Sequence, residues 1–218
     1  MKASRFPSRG LYVITDSGLH RGDALVHAVN RAIAGGAKVV QYRDKSGDTH
    51  RREAEAAALV RLCRRNGVVM IVNDDVELAL GSDADGVHLG RDDAQLSTAR
   101  RRLGNDRVIG VSCYNLLARA ESAQRDGADY VAFGSMFPSS TKPDASRADI
   151  ATIKSARRRI HLPIVAIGGI TPQNGASLLD AGVDLLAVVS GVFADDDPAV
   201  SAREYMQLFE RQTAEEKP

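Results

Sequence analysis

The sequence predicts an α/β protein with eight parallel strands, and three observations support this fold class. Eight short runs rich in apolar and β-branched residues alternate with helix-like segments, and such alternation implies parallel strand pairing. Eight is also the number of strands that closes a (β/α)8 barrel. The runs are nearly continuous in apolar residues, as expected for a sheet covered on both faces. We therefore expect a single-domain (β/α)8 TIM barrel, and an open doubly wound sheet is the less favoured alternative.

The elements follow one another in a regular order. Strands are expected at residues 11–15, 39–44, 68–73, 86–90, 108–113, 130–137, 163–167 and 185–190. Helices are clearest at residues 23–35, 49–66, 94–103, 115–126 and 172–181. Each of these helices begins near Asp, Ser, Thr, Asn or Pro, and several end at glycine, which is typical of helix boundaries.

Three helix-to-strand joints resemble one another, at residues 34–43, 125–134 and 180–189. Each has glycine at the helix end, small residues, a charged residue and then a buried strand. Glycine suits the left-handed cap that such joints use. No linker or shift in composition separates the segments, so we expect one domain over residues 1–218, with short flexible tails at about 1–9 and 212–218.

Composition excludes several classes of function. The chain has 218 residues, of which 44% are hydrophobic and 26% charged, as in ordinary globular proteins. A net charge of +1 gives no field that would recruit nucleic acid or an anionic membrane. No apolar run approaches the roughly 20 residues of a membrane span. Cys63 and Cys113 lack the spacing of a metal site or a disulfide framework. We therefore expect a cytoplasmic protein with reduced thiols and neither nucleic-acid nor membrane partners.

Polar residues in the second half of the second strand and directly after it indicate an anionic ligand. Gln41, Arg43 and Lys45 stand two residues apart, so a strand would direct an amide and two cations from one face. Buried cations need an anion or a mouth open to water. Asn73 and Asp74 follow the third strand, and Asp92 and Asp93 follow the fourth. Cations and carboxylates together indicate a diphosphate held partly through a divalent metal.

The remaining polar candidates also fall at the carboxyl ends of the strands, where barrels of this kind place their active sites. Ser112 ends the fifth strand, and a long polar loop at 138–149 follows the sixth and contains Lys142. Gly168 and Gly169 follow the seventh strand, and Ser190 and Gly191 end the eighth. These last two loops commonly form a phosphate site from backbone amides.

Structural roles compete with these functional ones. The polar side chains of the second strand could form a barrel layer satisfied by neighbouring acids, although their clustering favours function. Asp92 fits a helix N-cap. His88 fits a satisfied core histidine, and Ser112 could bond its own backbone. The arginine groups at 100–102 and 157–159 fit solvated helix faces.

Several ordered motifs resemble those of the thiamine-phosphate synthase family over residues 11 to 193. They are QYRDK (41–45), VNDD (72–75), GVHLGRDD (86–93), GVSCYN (110–115), PSSTK (138–142), AIGGI (166–170) and VVSGV (188–192). Each motif alone is weak, but their order and spacing together are specific. The resemblance implies a transferase that joins an aminopyrimidine diphosphate to a thiazole phosphate, giving thiamine phosphate and pyrophosphate.

The resemblance also implies roles for matching positions. The pyrimidine diphosphate would be bound by Gln41, Tyr42, Arg43, Asp44, Lys45, Asn73, Ser112 and Lys142. Arg43, Lys45, Ser112 and Lys142 would be the catalytic members of that set. Asp74 and Asp93 would bind one Mg2+ ion together with the diphosphate. The thiazole phosphate would be held by Ser139, Ser140, Thr141, Gly169, Val189 and Ser190. The partners expected are small phosphorylated substrates, and a homo-oligomer is compatible with the sequence.

Two departures from the family pattern bear on the alternatives. Ser139 replaces a threonine that is common there, which keeps the hydroxyl group. Tyr114 stands where the family often has histidine. A related barrel, the thiazole tautomerase, uses a histidine in this region, so Tyr114 beside an intact QYRDK favours the synthase. A barrel that binds a phosphorylated ligand without turnover is the third hypothesis.

Overall fold

The computed structural model of the protein describes residues 6–90, 95–138 and 148–215, and its eight parallel strands close into a barrel. Each strand pairs with the next, and β8 pairs with β1, where Gly10 lies opposite Leu185. The predicted (β/α)8 barrel is confirmed. The strands are β1 (Gly10–Ile14), β2 (Val39–Tyr42), β3 (Val69–Asn73), β4 (Gly86–Leu89), β5 (Val108–Tyr114), β6 (Tyr130–Phe133), β7 (Ile164–Ile167) and β8 (Leu185–Val188).

Helices follow the strands and form the outer layer. The five helices that were clearest in the sequence are present, and four further helices lie in the described residues, namely α3, α6, α8 and α9. The full set is α1 (Gly22–Ala34), α2 (Thr49–Arg65), α3 (Val76–Gly81), α4 (Leu96–Leu103), α5 (Leu117–Arg125), α6 (Ile150–Arg157), α7 (Ala176–Asp180), α8 (Ser190–Phe193) and α9 (Pro198–Glu215). None of the helices among the described residues is both long enough and apolar enough to span a membrane.

Side chains alternate between the barrel interior and the helix layer along each strand. Tyr12, Ile71 and Val165 belong to the interior cluster. Their neighbours, such as Val13 and Val72, belong to the larger cluster that packs against the helices. Because successive side chains point to opposite faces of a strand, this alternation decides which polar groups can reach the barrel mouth.

Aspartates lie at the amino ends of three strands, and two of them, Asp129 and Asp184, are the charged residues of the joints at 125–134 and 180–189. Each aspartate lies directly before a strand, and its Oδ2 accepts from a backbone N–H of the preceding strand. The pairs are Asp85 with Met70 at 2.8 Å, Asp129 with Ile109 at 2.7 Å and Asp184 with Ile164 at 2.7 Å. In the joints at 125–134 and 180–189, the charged residue therefore ties neighbouring strands together at the amino end of the barrel, whereas the joint at 34–43 has Lys38 in its place.

Two arginines hold Asp129 and Asp184 in place. Arg100 Nη2 donates to Asp129 Oδ2 at 2.6 Å, and Arg157 Nη1 donates to Asp184 Oδ2 at 2.7 Å. Both guanidiniums also donate to backbone carbonyls beyond helix ends. The expectation of solvated faces is wrong for Arg100 and Arg157, because their long side chains fold back to the amino end of the barrel. It is confirmed for the other four arginines of the two groups, Arg101, Arg102, Arg158 and Arg159, which are exposed.

Five strands, β1, β2, β4, β6 and β8, end one to four residues earlier than the sequence predicts, and the ends of β6 and β8 change the barrel mouth. β6 ends at Phe133 rather than at residue 137, because Ser135 adopts a left-handed backbone with φ of 57°, which is incompatible with a strand. β8 ends at Val188, and Ser190 already begins α8. Both changes convert predicted strand into loop or helix start at the barrel mouth.

The terminal segments are more ordered than the expected tails. Phe6 is buried, and its ring stacks on Tyr130 with centroids 4.1 Å apart and planes 6° apart. The Phe6 ring closes the amino end of the barrel interior. Arg9 Nη2 donates to the carbonyl oxygen of Phe209 in α9 at 3.2 Å, and α9 itself continues to Glu215. Residues 6–9 and 212–215 therefore belong to the folded domain.

Candidate active site

Gln41, Arg43 and Lys45 line up along β2 and beyond its end, as a period of two predicts. Gln41 is 3% exposed, and its Nε2 donates to the hydroxyl of Tyr12 at 2.7 Å. The backbone N–H of Arg43 donates to Thr15 Oγ1 at 2.9 Å, which extends the β1–β2 pairing toward the mouth. Its guanidinium makes no ion pair with the described residues. The Lys45 side chain is 64% exposed, so both cations are available to a ligand.

Tyr42 and Asp44 lie on the opposite face of the same segment. Tyr42 Oη donates to Glu55 Oε2 at 2.7 Å, in the layer between strand and helix. Asp44 accepts from Arg51 Nη2 at 2.7 Å and from the backbone N–H of Ser46 at 2.7 Å. Because of the strand period, these two side chains hold the β2–α2 connection. Their assignment to the diphosphate stays a prediction.

The charge of Asp44 is stabilised within that connection. Burial alone would raise the pKa of the carboxyl, but hydrogen bonds from Arg51 and Ser46 outweigh burial and lower the pKa to about 2. Arg51 thereby keeps a buried carboxylate ionised beside the segment that presents Lys45.

Two adjacent aspartates after β3 have different surroundings. Asp75 caps α3 by accepting from the Leu78 N–H at 2.9 Å, and its Oδ2 accepts from Arg52 Nη2 at 2.7 Å. Asp74 has a left-handed φ of 64°, and its Oδ2 lies 3.5 Å from Lys45 Nζ. The Asp75 carboxylate is therefore held by contacts within the fold. The Asp74 carboxylate instead lies at the mouth, with the Lys45 ammonium beside it.

A cavity of about 630 Å³ adjoins this side of the mouth. Asp44, Lys45, Asn73 and Asp74 contribute to its lining, together with residues of α2, α3 and α4. The lining thus brings together three residues that the sequence assigned to the diphosphate, Asp44, Lys45 and Asn73, and one that it assigned to the metal, Asp74.

The donor chemistry here fits a magnesium ion that is shared with a ligand. Carboxylate oxygen is a hard ligand, and Mg2+ in such sites draws on one or two carboxylates plus substrate phosphates. Asp74 can supply one carboxylate, and Asp93 lies outside the described residues. Within the described ranges, no group of three or more His, Cys, Asp or Glu side chains could hold a metal unaided.

A chain of hydrogen bonds crosses the barrel interior from β5 to β2, and we call it the core chain. It contains Ser112, His88, Tyr130, Tyr12 and Gln41. Ser112 Oγ lies 2.8 Å from His88 Nε2, and His88 Nδ1 lies 2.9 Å from the hydroxyl of Tyr130. The hydroxyls of Tyr130 and Tyr12 are 2.9 Å apart, and Gln41 completes the chain. His88 is thus the satisfied core histidine that the sequence favoured, and Ser112 bonds His88.

Burial governs the ionisation of the two core tyrosines. It raises the pKa of Tyr12 and of Tyr130 far above the ordinary value for tyrosine. Both hydroxyls therefore keep their protons at every physiological pH. Each can donate one hydrogen bond while accepting another, which a continuous chain requires.

Arg119 joins two strand ends at the mouth, and sequence reasoning missed it. Its Nε donates to the carbonyl oxygen of Ser112 at 2.7 Å, and its Nη2 donates to that of Gly90 at 2.9 Å. Gly90 directly precedes residues 91–94, which include Asp93. The guanidinium also lies 5.8 Å from the ring centre of Tyr114. A lone arginine on a predicted helix gives no signal of such a bridge, because both acceptors are backbone atoms.

The opposite side of the mouth is formed by the loops after β7 and β8. Gly168 and Gly169 have φ of 106° and 63°. A Cβ at Gly169 would lie 2.4 Å from the carbonyl oxygen of Pro138, so only glycine fits. Val189 precedes α8, and Ser190 begins it with an exposed side chain. Three predicted phosphate contacts, Gly169, Val189 and Ser190, thus lie in these two loops.

Two residues absent from the sequence prediction support these loops. Asn174 Nδ2 donates to the carbonyl oxygen of Gly169 at 2.9 Å. Tyr205 of α9 donates to the carbonyl oxygen of Ile170 at 3.0 Å, and a Cβ at Gly191 would lie 2.4 Å from its hydroxyl. Tyr205 therefore packs against both loops. The predicted contacts Ser139, Ser140, Thr141 and Lys142 lie outside the described residues.

The closed barrel, the cations at its mouth and the glycine-containing loops after β7 and β8 are typical of (β/α)8-barrel enzymes that act on anionic ligands. The chain belongs to the thiamine monophosphate synthase family, whose model matches residues 11–192. It is 53% identical over 204 residues to the thiamine-phosphate synthase of Thiobacillus denitrificans, covering 94% of this chain and 96% of that protein. The corresponding protein of Methylococcus capsulatus is 50% identical, with coverage of 94% and 91%.

A solved structure supports the same assignment. The chain superposes on thiamine phosphate pyrophosphorylase from Pyrococcus furiosus with a TM-score of 0.85 and 34% sequence identity. The superposition covers 94% of this chain and 96% of that one. Agreement in sequence and in fold over nearly the whole length identifies the chain as a transferase of thiamine biosynthesis.

Proposed function

We propose that the protein joins 4-amino-2-methyl-5-(diphosphooxymethyl)pyrimidine to 4-methyl-5-(2-phosphooxyethyl)thiazole. The carbon–oxygen bond at the exocyclic methylene of the pyrimidine breaks, and pyrophosphate leaves with the electron pair. The lone pair of the thiazole nitrogen then forms the new carbon–nitrogen bond of thiamine phosphate. The observation that supports this most directly is the guanidinium of Arg43, half-buried at the mouth and without an ion pair among the described residues, in a family member.

The diphosphate would occupy the side of the mouth formed by β2 and β3. Arg43 can bind two of its oxygens through the planar fork of the guanidinium, and Lys45 adds a mobile point charge. Asn73, one strand away, can donate an amide hydrogen bond. These donors act on charge that develops on the leaving pyrophosphate, so they stabilise the transition state more than the ground state.

Asp74 and Asp93 would hold one Mg2+ ion at this side. Bound there, the metal would supply Lewis-acid stabilisation of the departing diphosphate. Asp74 suits this role better than its neighbour Asp75, because the Asp75 carboxylate is already bound by Arg52 and by the backbone at the start of α3. Lys45 Nζ, 3.5 Å from Asp74, would shift to the ligand when the diphosphate enters.

The thiazole phosphate would bind to the loops after β7 and β8. Gly169, Val189 and Ser190 can provide backbone N–H groups and one hydroxyl, with Ser139, Ser140 and Thr141 from the loop after β6. Two anion sites on opposite sides of one mouth hold the reacting atoms of the two substrates between them. Alignment of this kind can contribute several kcal/mol, on the order of 7 to 11 in favourable cases.

Ser112 and Lys142 would contact the pyrimidine, which tolerates positive charge at its methylene carbon because its ring is electron-rich. No side chain needs to act as a nucleophile. The protein's contribution is then electrostatic stabilisation of the leaving group and exclusion of competing water from the methylene carbon.

The test is release of pyrophosphate by the purified protein. The complete mixture contains the pyrimidine diphosphate, the thiazole phosphate and Mg2+, and each component is omitted in turn. We expect release only with all three, with thiamine phosphate formed in equal amount. Isomerisation of a thiazole phosphate without pyrophosphate release would instead indicate a tautomerase. Ligand binding without any turnover would indicate a binding protein.

We also expect a cytoplasmic enzyme, in keeping with small phosphorylated substrates. A homo-oligomer remains compatible with the chain, and light scattering on the purified protein would measure its mass in solution.

A further inference from the structure

The core chain links two residues expected to contact the pyrimidine substrate, Gln41 and Ser112. The residues between them, Tyr12, Tyr130 and His88, lie in the barrel interior below the mouth. Tyr12 and Tyr130 are 1% and 0% exposed, so their hydroxyls can find partners only within the protein. The four links measure 2.7, 2.9, 2.9 and 2.8 Å, all within ordinary hydrogen-bond range.

The order of protons along the core chain follows from the first link. The amide nitrogen of Gln41 donates to Tyr12, and the other hydrogen-bond partner of the Tyr12 hydroxyl among the described residues is Tyr130, so the buried proton of Tyr12 has Tyr130 as its acceptor. The proton of Tyr130 then points to Nδ1 of His88, which must be unprotonated to accept it. A neutral imidazole with a bare Nδ1 holds its proton on Nε2.

We propose that the core chain fixes His88 as the neutral Nε2–H tautomer and thereby makes Ser112 a hydrogen-bond donor to the substrate. His88 Nε2–H donates to Ser112 Oγ, so the hydroxyl proton of Ser112 points elsewhere, toward the mouth. The group it recognises is an acceptor atom, such as a ring nitrogen of an aminopyrimidine. Tyr12, Tyr130 and His88 are positioning residues, and this inference rests on the proposed function for the role of Ser112.

Packing keeps the core chain in one arrangement. The Tyr130 ring is held between Phe6, stacked at 4.1 Å, and His88, whose ring centre lies 5.6 Å away. The absence of a side chain at Gly110 makes room for it, since a Cβ there would lie 1.9 Å from Tyr130 Cζ. A ring enclosed in this way cannot swing its hydroxyl away from His88 without disturbing the close-packed interior.

The first experiment determines the tautomer of His88 in the substrate-free protein. The chain has five histidines, and their side-chain nitrogens can be observed by NMR after 15N-histidine labelling. The His88 signals are assigned as those lost in His88→Gln. We expect the pattern of a neutral ring with the proton on Nε2. A ring protonated on Nδ1 alone, or on both nitrogens at neutral pH, would overturn the proposal.

A pair of tyrosine variants tests whether Tyr130 sets that tautomer. Tyr130→Phe removes the hydroxyl that faces Nδ1, and we expect the His88 signals to shift toward a mixture of tautomers. Tyr42→Phe is the matched control, since it removes a buried hydroxyl that bonds Glu55 outside the core chain. It should leave the His88 signals in place. Unchanged His88 signals in Tyr130→Phe would contradict the proposal.

Kinetics then connect the tautomer to catalysis. We expect Tyr130→Phe to lower kcat/KM for the pyrimidine substrate about three- to tenfold, the effect of one weakened hydrogen bond, with KM for the thiazole phosphate unchanged. Equal loss toward both substrates would indicate general damage and would refute the positioning role. The tautomer is measured without substrate, so failure of the pyrophosphate assay and failure of this inference are distinguishable.

Discussion

Asn174 and Gly169 are joined by a hydrogen bond of 2.9 Å from the side-chain Nδ2 to the backbone carbonyl oxygen. The Oδ1 of Asn174 accepts from the backbone N–H of Thr171, also at 2.9 Å. One side chain thus spans the loop after β7 and holds Gly169 in its left-handed conformation. Because the carbonyl is engaged, the backbone N–H groups of this loop have a fixed direction.

Asn174→Ala should weaken binding of the thiazole phosphate. The loop loses two hydrogen bonds, each contributing about 1 kcal/mol, so we expect KM for this substrate to rise by up to about thirtyfold with little change in KM for the pyrimidine diphosphate. Ser177→Ala is the control, since its exposed hydroxyl only bonds the carbonyl oxygen of Asn174. Steady-state kinetics with each substrate varied would check this, and equal effects of the two variants would contradict it.

Asp74→Asn should reduce magnesium-dependent turnover without unfolding the protein. Asparagine tolerates the left-handed φ of 64° at this position, so the backbone stays in place while the charge is removed. Asp83→Asn is a matched control, because Asp83 has a similar φ of 59° and pairs with Arg64 and Arg107 on the surface. Titration of activity with Mg2+ should give a raised requirement in Asp74→Asn alone.

Arg119→Lys should impair catalysis, although positive charge is retained. A lysine ammonium lacks the planar fork that reaches the carbonyl oxygens of Ser112 and Gly90 together. We expect kcat/KM to fall about tenfold through the loss of one hydrogen bond to a charged group. Arg125→Lys, in the last turn of the same helix, should have normal kinetics, since Arg125 bonds only Ser122 among the described residues.

Asp44 should make the stability of the fold sensitive to acid. Its pKa of about 2 lies below the unfolded value of roughly 3.9, so its stabilising effect is complete above that value and is lost as pH falls toward 2. The effect amounts to about 2 kcal/mol at neutral pH, and about 1 kcal/mol of it should disappear by pH 3. Urea unfolding of wild type and Asp44→Asn should therefore converge from pH 6 to pH 3, and a constant difference would refute this.

Gly110→Ala should destabilise the barrel. The added methyl group would overlap the ring of Tyr130, since a Cβ at Gly110 would lie 1.9 Å from Tyr130 Cζ, and over-packing of this kind costs about 1–3 kcal/mol. Gly47→Ala, where a Cβ meets nothing within 4 Å, should change the free energy of unfolding by less than about 0.5 kcal/mol. Urea denaturation at neutral pH measures both.

Much of the barrel was predictable because its signals are local. Alternating apolar runs and helix caps gave the strands and five of the helices, and period two correctly grouped Gln41 with Arg43. The same rule places Tyr42 and Asp44 on the opposite face, where Glu55 and Arg51 bind them. Their assignment to the diphosphate rests on family resemblance over a continuous motif, and it stays a prediction.

The core chain could not be predicted, because it depends on the stagger of strands around a closed barrel. Tyr12 and Tyr130 are 118 positions apart, and nothing in either neighbourhood indicates that their hydroxyls meet. The early end of β6, at Phe133, could not be predicted for a related reason. Nothing in the local sequence indicates the left-handed backbone of Ser135, which lies close to Gly168 of the next strand's loop, where a Cβ would lie 2.8 Å from Ser135 atoms.

Closure of the barrel through β1 and β8 has a consequence for how the chain is made. A ribosome releases residues in order, so β1 must wait for about 170 further residues before Leu185 can pair with Gly10. Phe6 likewise has no stacking partner until Tyr130 has emerged. Until then β1 offers an unpaired edge, which invites association with other chains. Assembly therefore ends with a long-range step of high contact order, and aggregation during synthesis competes with that step.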